Sequence, residues 1–129
     1  MSADGTYLGI FLSDKNGPQW QAWRAMSEDQ QRARDEEGLA ALDAWEARNQ
    51  DAIVTGGPLG RTKRATTESV TDAVNQMTVF IVIRAASLEA AAQMLMDHPH
   101  MTVFPCHAVE VMPVLGADTD DEGRPTQPD

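Results

Sequence analysis

SLEAAAQMLMDHPHMTVFPCHAVEVMPVL, residues 87–115, reads as a short helix, an abrupt stop and a closing strand. Ser87 is a good N-cap. Leu88, Ala91, Ala92, Leu95 and Met96 follow at the i, i+3, i+4, i+7, i+8 spacing of one apolar helical face. Pro99 disfavours helical geometry at the residue before it, so the helix is expected to end near Asp97. Val109 and Val111 alternate with Glu110 and Met112 in a last strand, whose Pro113 suits an edge or a strand end. All three histidines and the only cysteine fall between His98 and His107, so any chemistry is expected to start here.

Upstream, Thr78–Arg84 is β-branched and apolar on both faces, a strand. Tyr7–Leu12 has little polarity on either face, as befits a strand inside a sheet. Between them Ser27 begins a long helix, expected to reach about Gln50. Gln30 completes an S-x-x-Q capping box, and Glu28 and Asp29 sit at the positive end of the dipole. Leu39, Leu42 and Trp45 are expected along its apolar stripe. Gly38 costs roughly 1 kcal/mol relative to alanine in a helix, which implies close packing there. Residues 14–18 form a turn cluster, and Trp20 and Trp23 share one side of a helical turn. Ala52–Thr55 is a short strand broken by Gly56-Gly57-Pro58-Leu59-Gly60. Residues 62–67 resume a strand on one reading, and 68–73 make a helical turn.

The order is β-α-β-β-α-β, the ferredoxin-like α+β plan: an antiparallel four-stranded sheet with two helices on one face. The first and third strands should be central. The other face is left partly apolar, carrying Tyr7, Gly9, Phe11, Phe80 and Val82 or their neighbours according to register. A second copy is the commonest cover for such a face, so a homodimer is expected.

At 129 residues the chain is one domain, residues 1–116, followed by an acidic tail over 117–129 expected to be flexible. A net charge of −10 argues against a nucleic-acid partner. No apolar run approaches the roughly 18 residues of a membrane span. Asp4, rather than basic residues, precedes the first apolar stretch, so no signal peptide is expected. A lone Cys106 fits a reducing cytoplasm.

The strings Tyr7–Leu12, Gly56–Arg64, Asn75–Thr78, His98–Pro105 and Val109–Val114 together resemble a bacterial branch of the YCII-related proteins, over about residues 6–116. The resemblance implies a ferredoxin-like subunit in a dimeric α/β barrel with two sheets facing each other. It implies no settled reaction. A His/Asp pair is the suggested active site of founding members, and their histidine motif near the first helix is absent here. Only the quoted blocks carry over.

The residues themselves nominate His98 and His100 as catalytic. In an extended segment, side chains two apart point the same way and would line one cleft, and histidine exchanges protons near neutrality. Asp97 or Glu110 would orient a ring or raise its pKa. Structurally, His98 would instead cap the second helix and His100 pack in a turn. Arg61 and Lys63, in the basic island Arg61–Arg64, are candidates for contacting an anionic ligand group, unless the island is only a solvated hairpin tip; Tyr7 is a third ligand-binding candidate. Asp97, His98, His100, Cys106 and His107 match no usual zinc spacing, so no metal is expected. Cys106 and His107 are neighbours and would face opposite ways in a strand, which favours a buried thiol over a nucleophile–base pair. No nucleotide loop is present, and no organic cofactor is expected. Two classes follow: a cofactor-free enzyme doing acid/base chemistry on a small molecule, or a non-catalytic module binding a small ligand in the same cavity.

Overall fold

The computed structural model describes residues 4–123. Its main sheet has the order β2-β5-β1-β6, built from β1 (Gly5–Leu12), β2 (Ile53–Pro58), β5 (Met77–Ala85) and β6 (Ala108–Pro113). All three pairings are antiparallel. The two most apolar strands, β1 and β5, are central, and the strands carrying the glycine and proline breakers are edges. With α2 (Glu28–Asn49) and α3 (Leu88–Leu95) on one face, this is the expected ferredoxin-like α+β fold. Both helices start where the caps require. Ser27 accepts from the Gln30 amide while the Gln30 side chain accepts from the Ser27 amide, and Ser87 accepts from the Ala90 amide.

Register decides which face is the core. Tyr7 lies opposite Ile83 and Gly9 opposite Ile81, so Tyr7, Gly9 and Phe11 point to the helices. Tyr7, Phe11, Ile83, Trp45 and Leu95 are fully enclosed. Burying each such side chain contributes about 1.5–3 kcal/mol. The uncovered face carries the neighbours instead: Leu8, Ile10 and Leu12 of β1, with Val82 and Met112 beside Leu8. Two glycines mark close approaches. A Cβ on Gly9 would lie 2.6 Å from Leu95 Cδ1, so α3 rests directly on β1. A Cβ on Gly38 would lie 2.3 Å from Phe104, the close packing expected of a glycine in mid-helix.

Four expectations need correction. Leu39 is 59% exposed. At 100° per residue it stands about 120° from Trp45, whereas Gly38 and Leu42 share the Trp45 side. Residues 68–73 are not helical: β3 (Thr62–Ala65) pairs with β4 (Val70–Ala73) in a separate hairpin. Thr66 turns the chain there, its Oγ1 accepting from the Glu68 and Ser69 amides. Pro18 does not simply end structure. It opens α1 (Pro18–Ala25), where a missing amide costs nothing, and Trp20 ties that helix to Ser13 through an Nε1–H to Oγ bond.

The fourth correction is the segment after α3. Only His98 is extended there (φ −62°, ψ 139°), and residues 99–102 are helical. Pro99 opens a second short helix, α4 (Pro99–Thr102), with His98 as its N-cap. The proline that ends one helix therefore begins the next.

Of the expected tail, residues 124–129 lie outside the described residues. Residues 117–123 turn back on the sheet: the Thr119 hydroxyl accepts from the Gly116 amide at 2.7 Å, and Gly123 (φ +80°) is buried against Pro113. Among the described residues no helix is long and apolar enough to cross a membrane.

Candidate functional site

The α3–α4 corner delivers His98 into the protein and leaves His100 at a cavity wall. His98 is 3% exposed. Its ring sits 4.6 Å from that of Phe11 and meets Trp45 edge-on, also at 4.6 Å. His100 lies nearly parallel to it, centroids 5.1 Å apart and planes 9° apart, and has Phe104 on its far side at 5.2 Å. Two imidazoles that were expected to align in an extended chain are thus aligned by an N-cap turn.

That turn also sets the His98 tautomer. Its Nδ1 accepts the His100 backbone N–H at 3.1 Å, so the proton of the neutral ring belongs on Nε2. Burial holds the His98 pKa down at about 4, with the neighbouring His100 adding to the effect and Asp97 opposing it. Burial also lowers His100 from its ordinary value. Both rings are therefore neutral at pH 7. Neither ring nitrogen of His100 hydrogen-bonds to a described residue, so they remain available to a ligand.

The cavity has a volume of about 360 Å³. Its walls are His98 and His100, Leu42 and Glu46 from α2, Ile53 and residues 56–58 from β2, and residues 79–81 from β5. Leu42 and Glu46 are one helical turn apart, so the helix that buries Trp45 also brings Glu46 to the cavity wall. Glu46 makes no hydrogen bond or ion pair with the described residues. A larger depression of about 510 Å³ lies between α1, α2 and α4. Among the described residues Arg34 is the sole charged group on its wall, and Glu37 holds it at 3.0 Å. Both His98 and His100 line the smaller cavity.

Other nominated residues stand elsewhere. Asp97 backs the site without lining it, its Oδ1 accepting from Trp45 Nε1 at 3.1 Å. Glu110 is exposed on the uncovered sheet face, opposite Ile10. Arg61 is exposed in the β2–β3 connection, and Lys63 pairs with Asp72 across the hairpin at 2.6 Å. Tyr7 is in the core, because the register turns it toward the helices. Cys106 is 6% exposed, and burial pushes its thiol pKa up against a weak contact with Thr78 Oγ1 at 3.6 Å. Among the described residues no three His, Cys, Asp or Glu side chains converge as a metal site would require. Sequence reading passed over Glu46. The signal available was its position one turn beyond Leu42 and next to Trp45.

Desolvated neutral imidazoles on the wall of a mostly apolar cavity can accept, donate or relay a proton on a bound molecule. No family model matches the sequence, and no curated protein matches it. Among solved structures, the chain is similar to 5-chloro-2-hydroxyhydroquinone dehydrochlorinase (TftG) from Burkholderia phenoliruptrix AC1100, with 18% identity, 85% of this chain and 93% of that chain covered, and a TM-score of 0.49. It is also similar to 30S ribosomal protein S6 from Thermotoga maritima, with 12% identity, 87% and 89% covered, and a TM-score of 0.42. At these identities and scores neither likeness carries an argument about activity.

Proposed function

We propose that this chain is a YCII-related cytoplasmic protein that pairs with a second copy as a dimeric α/β barrel. In this reading it performs cofactor-free acid/base chemistry on a small molecule in the His98/His100 cavity. The observation that carries the reading is the parallel imidazole pair at the wall of a mostly apolar cavity of about 360 Å³. Their roles differ. His100, with both ring nitrogens free of described protein partners, is the proton carrier. His98, committed through Nδ1 to the α4 cap, offers the ligand a fixed Nε2–H. Asp97 is a positioning residue, acting on His98 through its charge and its bond to Trp45. Pairing with a second copy is supported by the apolar row Leu8, Ile10 and Leu12 on a sheet face that no described element covers.

The structural work asked of His98 also favours a second reading, a module that binds a small ligand without turning it over. Mass spectrometry of the purified protein identifies any retained ligand, and that compound is the substrate to test. His100→Gln should then abolish turnover while leaving stability within about 1 kcal/mol. A rate inflection should fall below pH 6.5, because burial lowers His100. Binding with no turnover in the parent protein would decide for the second reading.

A further inference from the structure

We infer that the cavity selects an uncharged, hydroxyl-bearing molecule of about one ring in size, held between the Glu46 carboxylate and the His98 Nε2–H, and that Glu46 is the residue that excludes anions. This rests on the cavity being the ligand site. Its volume of about 360 Å³ stands at the small end of the range for organic ligands, roughly 300–1,000 Å³. Leu42, Ile53, Pro58, Val79 and Ile81 supply apolar wall, so most of the ligand surface must be apolar too.

The polar groups on the wall then define charge. Among the described residues neither lysine nor arginine lines the cavity. An entering carboxylate or phosphate meets the like charge of Glu46, and no described cation on the wall offsets it. An ammonium group suits Glu46 but offers no acceptor to the His98 N–H. One hydroxyl, or two on the same ring, satisfies both: the O–H donates to Glu46 and an oxygen lone pair accepts from His98. Burial supports the match, since a His98 that stays neutral down to about pH 4 keeps this donor without bringing a positive charge that would attract anions. The exposed position of Glu46 on α2 means its side chain is spared for this work by the core.

Three small probes of one ring separate the charge classes: catechol, benzoate and benzylamine, titrated into the full chain and followed by calorimetry and by the His100 ring proton resonances. Catechol should move the His100 resonances and bind at least tenfold more tightly than benzoate, a difference of about 1.4 kcal/mol. Glu46→Gln should bring the two within threefold. Benzoate binding as tightly as catechol, benzylamine binding tightest, or a ratio untouched by Glu46→Gln each overturns the charge selection while leaving the ligand site standing. If none of the probes moves the His100 resonances at about 10 mM, the cavity is not a ligand site, and the proposed function falls with this inference.

Discussion

Acidifying the protein from about pH 7.5 to about pH 4 should expose the cost of keeping His98 neutral. In the folded state its pKa is held near 4, against 6.5 for the free side chain. As the pH falls through about 6.5 the unfolded chain takes up a proton that the folded chain refuses. Stability from this group is therefore complete above about pH 7, declines as the pH falls, and loses no more below about pH 4. The shift sets a ceiling of about 3 kcal/mol. Solvent reaching the ring edge through the cavity reduces this to roughly 1–3 kcal/mol. His100 changes stability in the same direction, and Asp97 opposes the His98 shift. The comparison that isolates His98 is His98→Asn. Asparagine can cap α4 in its place but does not titrate. Urea unfolding at four or five pH values should show the variant less stable near neutrality, from the lost ring packing, yet with a shallower decline on acidification. Parallel stability–pH curves for parent and variant would refute the claim that His98 is buried neutral.

Gly38→Ala gains about 1 kcal/mol of helix propensity but drives a methyl group into Phe104, at a cost of about 1–3 kcal/mol. Net destabilisation by calorimetry, with altered His100 ring resonances, is expected; a raised Tm would contradict the close packing. The parent protein should sediment as a dimer at about 10 μM, and Ile10→Lys, in the middle of the uncovered face, should give a folded monomer. A parent that sediments as a monomer while keeping its full stability sinks the barrel. Cys106 should react with an aromatic disulfide reagent only as fast as the protein opens, since its thiol is buried and its pKa raised. Immediate stoichiometric labelling of the native protein would count against that.

Long elements with a buried stripe and a cap were legible in the sequence. The β1 and β5 strands, α3, and the start of α2 at Ser27 all fall where burial and capping require. Of the hairpin, β3 was legible as one reading of residues 62–67, but β4 was not, because its residues are almost all exposed and no face of it repeats. Register was not legible either. Both faces of β1 are apolar, so only pairing with β5 tells Tyr7 and Phe11 from Leu8 and Ile10. At the site, the pairing of His98 with His100 was legible as a spacing. The turn that aligns them was not, since a proline can follow an extended residue as readily as it can start a helix. Glu46 stayed hidden among the charges of α2, most of which are solvated. Only the packing of Trp45 distinguishes its neighbour.

The contact between Gly9 and Leu95 has a consequence for how such a site diversifies. The His98 amide donates to the Leu95 carbonyl at 3.2 Å, so the corner that places both imidazoles is tied to the side chain resting on Gly9. A methyl group at residue 9 would fill no hole. It would press Leu95 outward, lift the end of α3, and carry the imidazole pair away from β5. The width of the cavity is thus adjustable from a strand residue that touches no ligand, and a lineage could change which molecules fit while leaving every chemical group of the site in place.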